Sequence, residues 1–434
     1  MSYFLQEAAS NLFRQISWQL RQRRHIRAQI WQSLAGYTQT IGGMLMGIVF
    51  ARLLAPEIFG QLAFISATLT LLMIPLNLSS TQVLVTDGGS TPTLFGKVLG
   101  LVIVMMAFKL LVLAFVVGWY LYRSALQDAV VAVLVGLPIV FMDLFNMFRA
   151  DLEGRGRFRP NFEVQLAGVF TQSTVSVVLV LIDWGIYGLA IGGFVGFLPQ
   201  LYLYWKPSGR RLSEASISFQ GLVNQLKVGW WLWLTTACGS ALLRLDKIAV
   251  SLFAGNTQLG YYNRAINYSP VAALAMWSLL TNATVVALKG QKDPKHHIPA
   301  LVRMAAIMGA GGMANWAVLY FFSDPLVVWI FGAHWAGAIP VFEAFGWLSL
   351  AYTLYHLPAT LLFSLDAYRS LALVRLGGLL VFAFLVWTRA ATSKLSETDV
   401  AYALCIAMAT TGALTMLAGL VQQLRIQRRT APNE

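Results

Sequence analysis

The chain has 434 residues, of which 58% are hydrophobic and only 11% are charged. Its mean hydropathy is +0.66. A soluble protein of this length would carry far more charged surface, so the composition excludes a soluble enzyme and indicates a polytopic membrane protein. The net charge of +13 comes from basic residues dispersed over short connections, which argues against a nucleic-acid-binding protein.

The N-terminal segment, residues 1–29, contains no continuous apolar run and is therefore neither a signal peptide nor a first span. Apolar residues recur in it at helical spacing, with arginines close by. That pattern is typical of a basic amphipathic helix on the cytoplasmic surface of a membrane. A disordered tail is the alternative, because the polar face also holds glutamine and serine.

Twelve apolar runs follow, each long enough to cross about 30 Å of hydrocarbon as a helix. They lie near 30–53, 58–84, 97–122, 126–149, 160–182, 185–205, 220–253, 258–288, 298–322, 337–364, 367–388 and 398–424. Between two of these runs, Pro325 and Gly332 interrupt the stretch from Asp324 to Trp335. We expect a short interfacial piece there.

The distribution of Lys and Arg predicts the orientation of the chain. When both termini are placed in the cytoplasm, most of the 31 basic residues fall on the cytoplasmic side. This asymmetry is what the positive-inside rule requires. We therefore predict a multi-pass protein with both termini cytoplasmic.

The chain also looks internally duplicated. Aligning Gly60 with Gly260 places the first six spans on the second six, each pair joined by a short loop at the same place. Because each half has an even number of spans, the halves share an orientation and are related by a parallel pseudo-two-fold axis. The predicted parts are the N-terminal segment 1–29, an N-lobe at 30–205, a cytoplasmic linker at 206–219, a C-lobe at 220–424 and a cytoplasmic tail at 425–434.

Motifs for catalysis or metal binding are not found in the sequence. Cys238 and Cys405 lie in apolar runs without a neighbouring Cys or His, so we expect no metal site and no disulfide. No phosphate-cradling loop or paired-aspartate motif is present, which excludes intrinsic ATP hydrolysis. Gly43 and Gly47 have the spacing of small residues that let membrane helices approach closely.

Ionised groups inside hydrocarbon are costly, so a chain that keeps several uses them on something charged that crosses the membrane. Arg244 and Lys247 are three residues apart and share a helix face, which places two cations side by side. The alternative is that both extend to the outer interface. Asp246 points away from them, and we expect it to pair with Arg264 as a gate or as a structural contact.

Lys109 lies near the middle of the third span, too deep to reach either surface. This depth makes it the best single candidate for binding an anionic group. A buried pair with Asp143 of the fourth span is the alternative, and such a pair needs no cargo. Asp143 is also a candidate for proton or sodium coupling.

Several motifs agree in order and spacing with one known family. They are Ala51-Arg52-Leu53-Leu54-Ala55-Pro56-Glu57-x-Phe59-Gly60, Arg157-Phe158, Asp246 followed by Gly260-Tyr261-x-x-x-Ala265, and Pro325-Leu-Val-Val-Trp-Ile-Phe-Gly332-x-x-Trp335. Together they resemble the bacterial oligosaccharide flippases, the O-antigen-flippase-like polysaccharide transporter branch of the multidrug, oligosaccharidyl-lipid and polysaccharide exporter (MOP) superfamily. One departure is the sequence Asn282–Ala287, which lacks the proline that relatives carry near the end of span eight.

The resemblance implies an all-α membrane protein with two six-helix lobes in a V and a central polar cavity that opens alternately to the two sides. It implies a flippase of the bacterial cytoplasmic (inner) membrane rather than an enzyme. The cargo would be an oligosaccharide linked to a polyprenyl diphosphate, moved to the outer leaflet for cell-envelope or exopolysaccharide synthesis. Membrane lipids and other polysaccharide-assembly proteins are the expected partners, and no cofactor is implied beyond a coupling proton or sodium ion.

On this interpretation, the basic residues bind the cargo and the acidic residues couple or gate its transport. Arg52 joins the set through its place in the family signature, although it would also serve as an anchor at a helix end. The predicted cargo-binding residues are Lys109, Arg244, Lys247, Arg264 and Arg52, and the predicted coupling or gating residues are Asp143 and Asp246.

Two other functions compete with this interpretation. A multidrug or cation antiporter of the same superfamily would carry cationic cargo and need carboxylates in its cavity, whereas basic residues outnumber acidic ones in these spans. A membrane glycosyl polymerase or ligase would need a long extramembrane loop with catalytic carboxylates, and no connection here is long enough to supply one.

Overall fold

The computed structural model describes residues 30–77, 91–216, 219–270, 297–365, 367–392 and 394–430. Within these ranges the chain folds into helices and the turns between them. We refer to α1–α6 as the first lobe: α1 Ile30–Leu53, α2 Pro56–Met73, α3 Pro92–Tyr122, α4 Leu126–Gly154, α5 Arg159–Leu181 and α6 Gly185–Ser208. The second lobe contains α7 Phe219–Ala254, α8 Asn256–Tyr268, α9 His297–Phe331, α10 Ile339–Gly346, α11 Leu348–Ser364, α12 Tyr368–Thr392 and α13 Glu397–Thr430.

Nine of the described helices are long and apolar enough to cross a membrane, so this is a multi-pass membrane protein. In order, the helices correspond to the predicted spans, with α10 and α11 sharing the tenth. The predicted segment 1–29, the later parts of the spans at 58–84 and 258–288, and the Asn282–Ala287 sequence lie outside the described residues.

Helix starts follow ordinary local rules. Proline occupies the first turn of α2, α3 and α5, where its missing N–H has no intrahelical acceptor to lose. Thr91 caps α3 by accepting a hydrogen bond from the Leu94 N–H at 3.3 Å. Short turns join α1 to α2, α3 to α4, α4 to α5 and α5 to α6.

The prediction that Pro325 interrupts the helix between Asp324 and Trp335 is wrong. Helix α9 continues through Pro325 as far as Phe331, because a membrane helix tolerates a proline when neighbouring groups satisfy the freed backbone. Gly332, with φ of 103°, ends the helix, and a 3₁₀ turn spans Ala333–Ala338.

The linker between the lobes is held against the first lobe. Helix α6 extends to Ser208, and a 3₁₀ turn at Leu212–Glu214 leads to Ser216, whose N–H donates to the Gly96 carbonyl at 2.9 Å. The preceding Arg210 also binds this lobe.

The Arg210 guanidinium contacts two residues of the first lobe. It forms an ion pair of 3.3 Å with the buried Asp151 and lies 4.7 Å from the ring centroid of Phe95. The described part of the predicted linker therefore belongs structurally to the first lobe.

The two lobes meet where α2 packs on α7 and α8. A Cβ added to Gly60 would collide with the Asn256 carbonyl oxygen, and one added to Gly260 would collide with the Pro56 carbonyl oxygen. Only glycine permits this approach of two helix backbones. The crossing lies at the end of the bundle that holds the α1–α2 and α7–α8 turns.

Candidate functional site

A cavity of about 450 Å³ lies between the lobes. Helices α1, α2, α5 and α6 supply its wall from the first lobe, and α8 supplies it from the second. The described lining residues are Gln39, Gly43, Met46, Gly47, Phe50, Phe59, Leu62, Val169, Gln172, Ser173, Ser176, Leu189, Asn263 and Arg264. Within this set Arg264 carries a charge and no residue is acidic.

Arg264 is placed in the cavity wall by the geometry of α8. Leu259, Tyr262 and Ala265 are buried on one side of this short helix, which directs Asn263 and Arg264 toward α1 and α2. The guanidinium carbon of Arg264 lies 3.8 Å from the ring centroid of Phe59. A cation over an aromatic face is attracted by the ring quadrupole, so this contact holds the side chain in position.

Arg264 is only 9% exposed, yet no protein group in the described part of the chain neutralises its charge. Among the described residues no carboxylate lies within ion-pair distance of it, and its Nε–H has no acceptor. Arginine stays protonated in proteins, so the cavity retains a fixed positive charge. The arrangement can bind an anionic group through charge-assisted hydrogen bonds.

The expected Asp246–Arg264 pair is not formed in the described structure. Asp246 is fully buried within the second lobe, where Oδ2 accepts a hydrogen bond from the Tyr262 O–H at 3.0 Å. Its Oδ1 accepts one from the backbone N–H of Lys247 at 2.7 Å. Asp246 therefore braces α7 against α8, and Tyr262 is a residue that sequence reasoning missed.

Arg244 and Lys247 do not line the described cavity. Lys247 is 7% exposed and its ammonium donates to the Leu243 carbonyl at 3.0 Å, 3.9 Å from Asp246 Oδ1. Arg244 is half-buried on the same helix. In this conformation the predicted cations do not converge on Arg264.

Lys109 forms the pair with Asp143 that was the alternative to a role in cargo binding. Its side chain is 1% exposed, and its ammonium forms an ion pair of 2.5 Å with Asp143 Oδ2. It also donates to Asn77 Oδ1 at 2.5 Å. The ammonium is thus satisfied by protein groups in this conformation, and its binding of cargo stays a prediction.

Arg52 connects the two lobes at the end where α2 and α8 cross. Its Nε donates to the Ile330 carbonyl at 2.9 Å and its Nη2 to the Trp329 carbonyl, both at the C-terminal end of α9. A cation at a helix C-terminus is stabilised by the free carbonyls and the helix dipole.

The end of α1 is capped in return. Trp335 Nε1 donates to the Ala51 carbonyl at 2.7 Å, and His334 Nε2 lies 2.9 Å from the same oxygen. We call this set of contacts, made by Arg52, Ala51, Trp329, Ile330, His334 and Trp335, the reciprocal cap. It joins the motif around Arg52 to the motif that ends at Trp335.

The polar wall opposite Arg264 was also missed from the sequence. Gln39, Gln172 and Ser173 are uncharged, and single amides or hydroxyls in apolar spans give a weak signal. Gln172 and Ser176 lie four residues apart on α5, and this spacing is the feature that could have revealed a polar helix face. In the part of the chain that the structure describes, no group of three His, Cys, Asp or Glu side chains could hold a metal ion.

Comparison with known families decides the identity of the chain. Residues 49–340, which include both motifs of the reciprocal cap, match the family model described as polysaccharide biosynthesis protein. The chain belongs to the polysaccharide biosynthesis protein family. This membership confirms the resemblance to polysaccharide flippases of the MOP superfamily that the sequence motifs indicated. Comparison with curated proteins gives no match.

Solved structures of MOP transporters share the fold. An inward-facing multidrug resistance MATE family transporter is 13% identical, with a TM-score of 0.71 over 93% of this chain and 100% of that chain. An outward-facing MATE transporter is 14% identical, with a TM-score of 0.63 over 94% and 97% of the two chains. A MOP superfamily transporter from Pyrococcus furiosus, described as having a binding pocket of reverse polarity, is 14% identical. Its TM-score is 0.57 over 95% of this chain and 94% of that chain.

At these identities the comparison shows the fold alone. The polysaccharide biosynthesis family member therefore has the V-shaped, two-lobed architecture of MATE-like transporters, which confirms the predicted fold class. Together, the family and the fold make it a membrane transporter of the MOP superfamily.

Proposed function

We propose that this transporter moves an oligosaccharide linked to a polyprenyl diphosphate from the cytoplasmic to the outer leaflet of a bacterial cytoplasmic membrane. Transport proceeds by alternating access, as one lobe rocks against the other around the cavity. The product would feed the synthesis of a cell-envelope polysaccharide or an exopolysaccharide.

The observation that carries this proposal is the buried charge of Arg264, which no carboxylate among the described residues compensates. A guanidinium that is nine-tenths buried, without a described carboxylate partner, is costly unless an anion joins it for part of the cycle. A diphosphate is such an anion. It cannot cross bare hydrocarbon, and the guanidinium replaces part of its lost water with charge-assisted hydrogen bonds.

The orientation predicted from the basic residues, with both termini in the cytoplasm, would give the cycle a direction. With that orientation, the crossing of Gly60 with Gly260 and the reciprocal cap lie on the outer side. The described conformation would then be closed toward the outside and ready to receive cargo made in the cytoplasm.

A transport assay tests the proposal. The purified chain is reconstituted into liposomes with a fluorescent polyprenyl-diphosphate-linked disaccharide, and an impermeant glycosidase reports the glycan that reaches the opposite leaflet. We expect movement by the wild type, and a loss of roughly tenfold or more for Arg264→Gln because a charge-assisted contact is removed. Arg264→Lys should retain part of the activity, since it keeps the charge but not the planar fork.

Arg159→Gln is the matched control, because Arg159 is 72% exposed and pairs with Glu163 on the surface. It should transport like the wild type. A wild-type protein that leaves the disaccharide lipid in place would overturn the proposal. So would an Arg264→Gln variant that transports normally.

The competing function is export of cationic compounds, which the fold alone would permit. The described cavity lining offers a cation to its contents and no carboxylate, so a cationic drug would meet repulsion there. We expect no movement of ethidium in the same liposomes under a proton or sodium gradient.

A further inference from the structure

The cavity has a second wall, distinct from the one that holds Arg264. Gln172 and Ser173 of α5 line it together with Gln39 and Gly43 of α1. Among the described residues, the side chains of Gln39, Gln172 and Ser173 form no hydrogen bond. We refer to Gln39, Gly43, Gln172 and Ser173 as the amide wall.

The amide wall and Arg264 occupy different levels of one cavity. Gln39, Gly43 and Gly47 recur every four residues and so share a face of α1. Arg264 lies beside Gly47, since a Cβ on that glycine would come within 2.8 Å of Arg264 Nη1. Eight residues of helix separate Gly47 from Gln39, a rise of roughly 12 Å. A ligand anchored at Arg264 can therefore extend along α1 to the amide wall.

The chemistry of the amide wall fits an uncharged, hydroxyl-bearing group. Each glutamine amide supplies two N–H donors and a carbonyl acceptor, and a serine hydroxyl both donates and accepts. Sugar hydroxyl and acetamido groups have the same mixed character. The described wall has no cation to match an acidic sugar and no carboxylate to match an amino sugar.

Gly43 provides the room for such a group. A Cβ built on Gly43 meets no other described atom within 4 Å, although the residue lines the cavity. Gly47, by contrast, is packed against Tyr268 and Arg264. The spacing of the two glycines predicts helix packing for both, and the structure supports that prediction for Gly47 only.

We propose that the amide wall is a subsite for an uncharged sugar attached to the diphosphate that Arg264 binds. This inference rests on the proposed function and names the part of the cargo that the second wall recognises. The amide wall would select a neutral first sugar, while Arg264 would bind any polyprenyl diphosphate.

Binding of two lipids to the full-length, detergent-purified chain tests the subsite. One lipid is polyprenyl diphosphate bearing a single N-acetylglucosamine, and the other is the same polyprenyl diphosphate without sugar. For the wild type we expect tighter binding of the sugar-bearing lipid. For the Gln172→Ala, Ser173→Ala double variant we expect that affinity to fall about tenfold, toward the value for the bare diphosphate, whose own affinity stays unchanged.

Gly43→Leu is a second variant that does not depend on the first. Its side chain enters open space, so the fold should tolerate it, but it occupies the volume a sugar would need. Gly36→Leu is its matched control on the same helix, since Gly36 also has open space around its Cβ and lies outside the cavity lining. Thr174→Ala is the control for the α5 variant, because exposed Thr174 does not line the cavity.

The results separate the subsite from the proposed function. The subsite is overturned if the wild type binds the two lipids with equal affinity. It is also overturned if the amide-wall variants lose the same factor of affinity for both lipids. Neither result contradicts the diphosphate site. Failure of both lipids to bind the wild type overturns the proposed function together with the subsite. Arg264→Gln should weaken the binding of both lipids, because both carry the diphosphate that Arg264 is proposed to contact.

Discussion

Gly60 and Gly260 face each other across the lobe interface, each against a carbonyl oxygen at the start of the other's helix. Gly60 meets Asn256, and Gly260 meets Pro56. Such reciprocal contacts are what a two-fold axis passing between the helices produces. The alignment of Gly60 with Gly260, drawn from the sequence, thus corresponds to a physical contact on the pseudo-symmetry axis.

Replacing Gly60 with Val should hold α2 and α8 apart, because the added atoms collide with backbone that cannot rotate away. We expect the closed end of the bundle to open. The measurement is maleimide labelling of Ser173→Cys in the cavity, with Cys238 and Cys405 replaced by Ala. Labelling from the α1–α2 side should rise severalfold.

Gly118→Val is the control for this experiment, because no described atom lies within 4 Å of a Cβ built there. Unchanged labelling in the Gly60 variant would show that the glycine crossing does not close the cavity.

The reciprocal cap should act as one unit. Arg52→Ala removes two donors to α9 carbonyls, and Trp335→Phe removes the donor to Ala51. Each loss should weaken the closed state by about 1–3 kcal/mol, and the double variant should lose less than the two single variants added together. The same cavity-labelling assay measures all three variants.

Arg123→Ala is the matched control for Arg52, since Arg123 is exposed at the end of α3, where it contacts Trp119 within its own lobe. Strict additivity of Arg52→Ala and Trp335→Phe would show that the two halves of the cap are independent.

Lys109→Ala should destabilise the protein strongly, by about 3–5 kcal/mol, because it removes a fully buried cation and leaves the Asp143 carboxylate, which is only 22% exposed, without its partner. Replacing the pair together, as Lys109→Met with Asp143→Leu, should restore expression and thermal stability. Transport by the restored protein then decides the predicted roles: normal transport assigns a structural role, and lost transport assigns Lys109 or Asp143 to cargo binding or coupling.

The exposed pair of Arg389 and Asp399 gives the comparison for Lys109 and Asp143. These charged groups are 3.8 Å apart, and the Arg389 side chain is 65% exposed. Arg389→Ala should leave thermal stability nearly unchanged, because solvent screens surface ion pairs. A similar small effect for Lys109→Ala would contradict the buried-pair argument.

Tyr262→Phe should destabilise the contact between α7 and α8 by about 1–3 kcal/mol, because Asp246 loses its hydroxyl donor in a fully buried position. The melting temperature of the purified protein measures this effect. The neighbouring Tyr261→Phe is the control, since its hydroxyl makes only a long contact of 3.4 Å with the His334 carbonyl. Equal melting temperatures for the two variants would remove the bracing role of Tyr262.

The helices could be predicted from the sequence because a membrane span needs only sufficient length and hydropathy, and α3 to α6 begin and end within a few residues of the prediction. Pro325 was misread, because sequence alone does not say whether neighbouring helices satisfy the backbone that a proline leaves free. Length and hydropathy show whether a segment can span the membrane, but they do not show which helices pack against it.

The partners of charged residues could be predicted only in part, because they depend on how each helix is rotated about its axis. Lys109 and Asp143 lie on consecutive spans, within about one to two helical turns of each other in predicted depth, so their pairing could be anticipated. Asp246 turns toward Tyr262 instead of Arg264, and the choice between them is set by packing within the second lobe. The glutamines of the amide wall give no charge signal at all.

Arg264 also bears on what an empty transporter can do. A guanidinium cannot shed its proton, so closing both ends of an unloaded cavity would seal a bare charge away from water. The occluded intermediate would then be disfavoured until a counter-ion arrives with the passenger. The side chain that we propose to bind the lipid would thereby discourage turnover without cargo and limit leakage of small ions through the membrane.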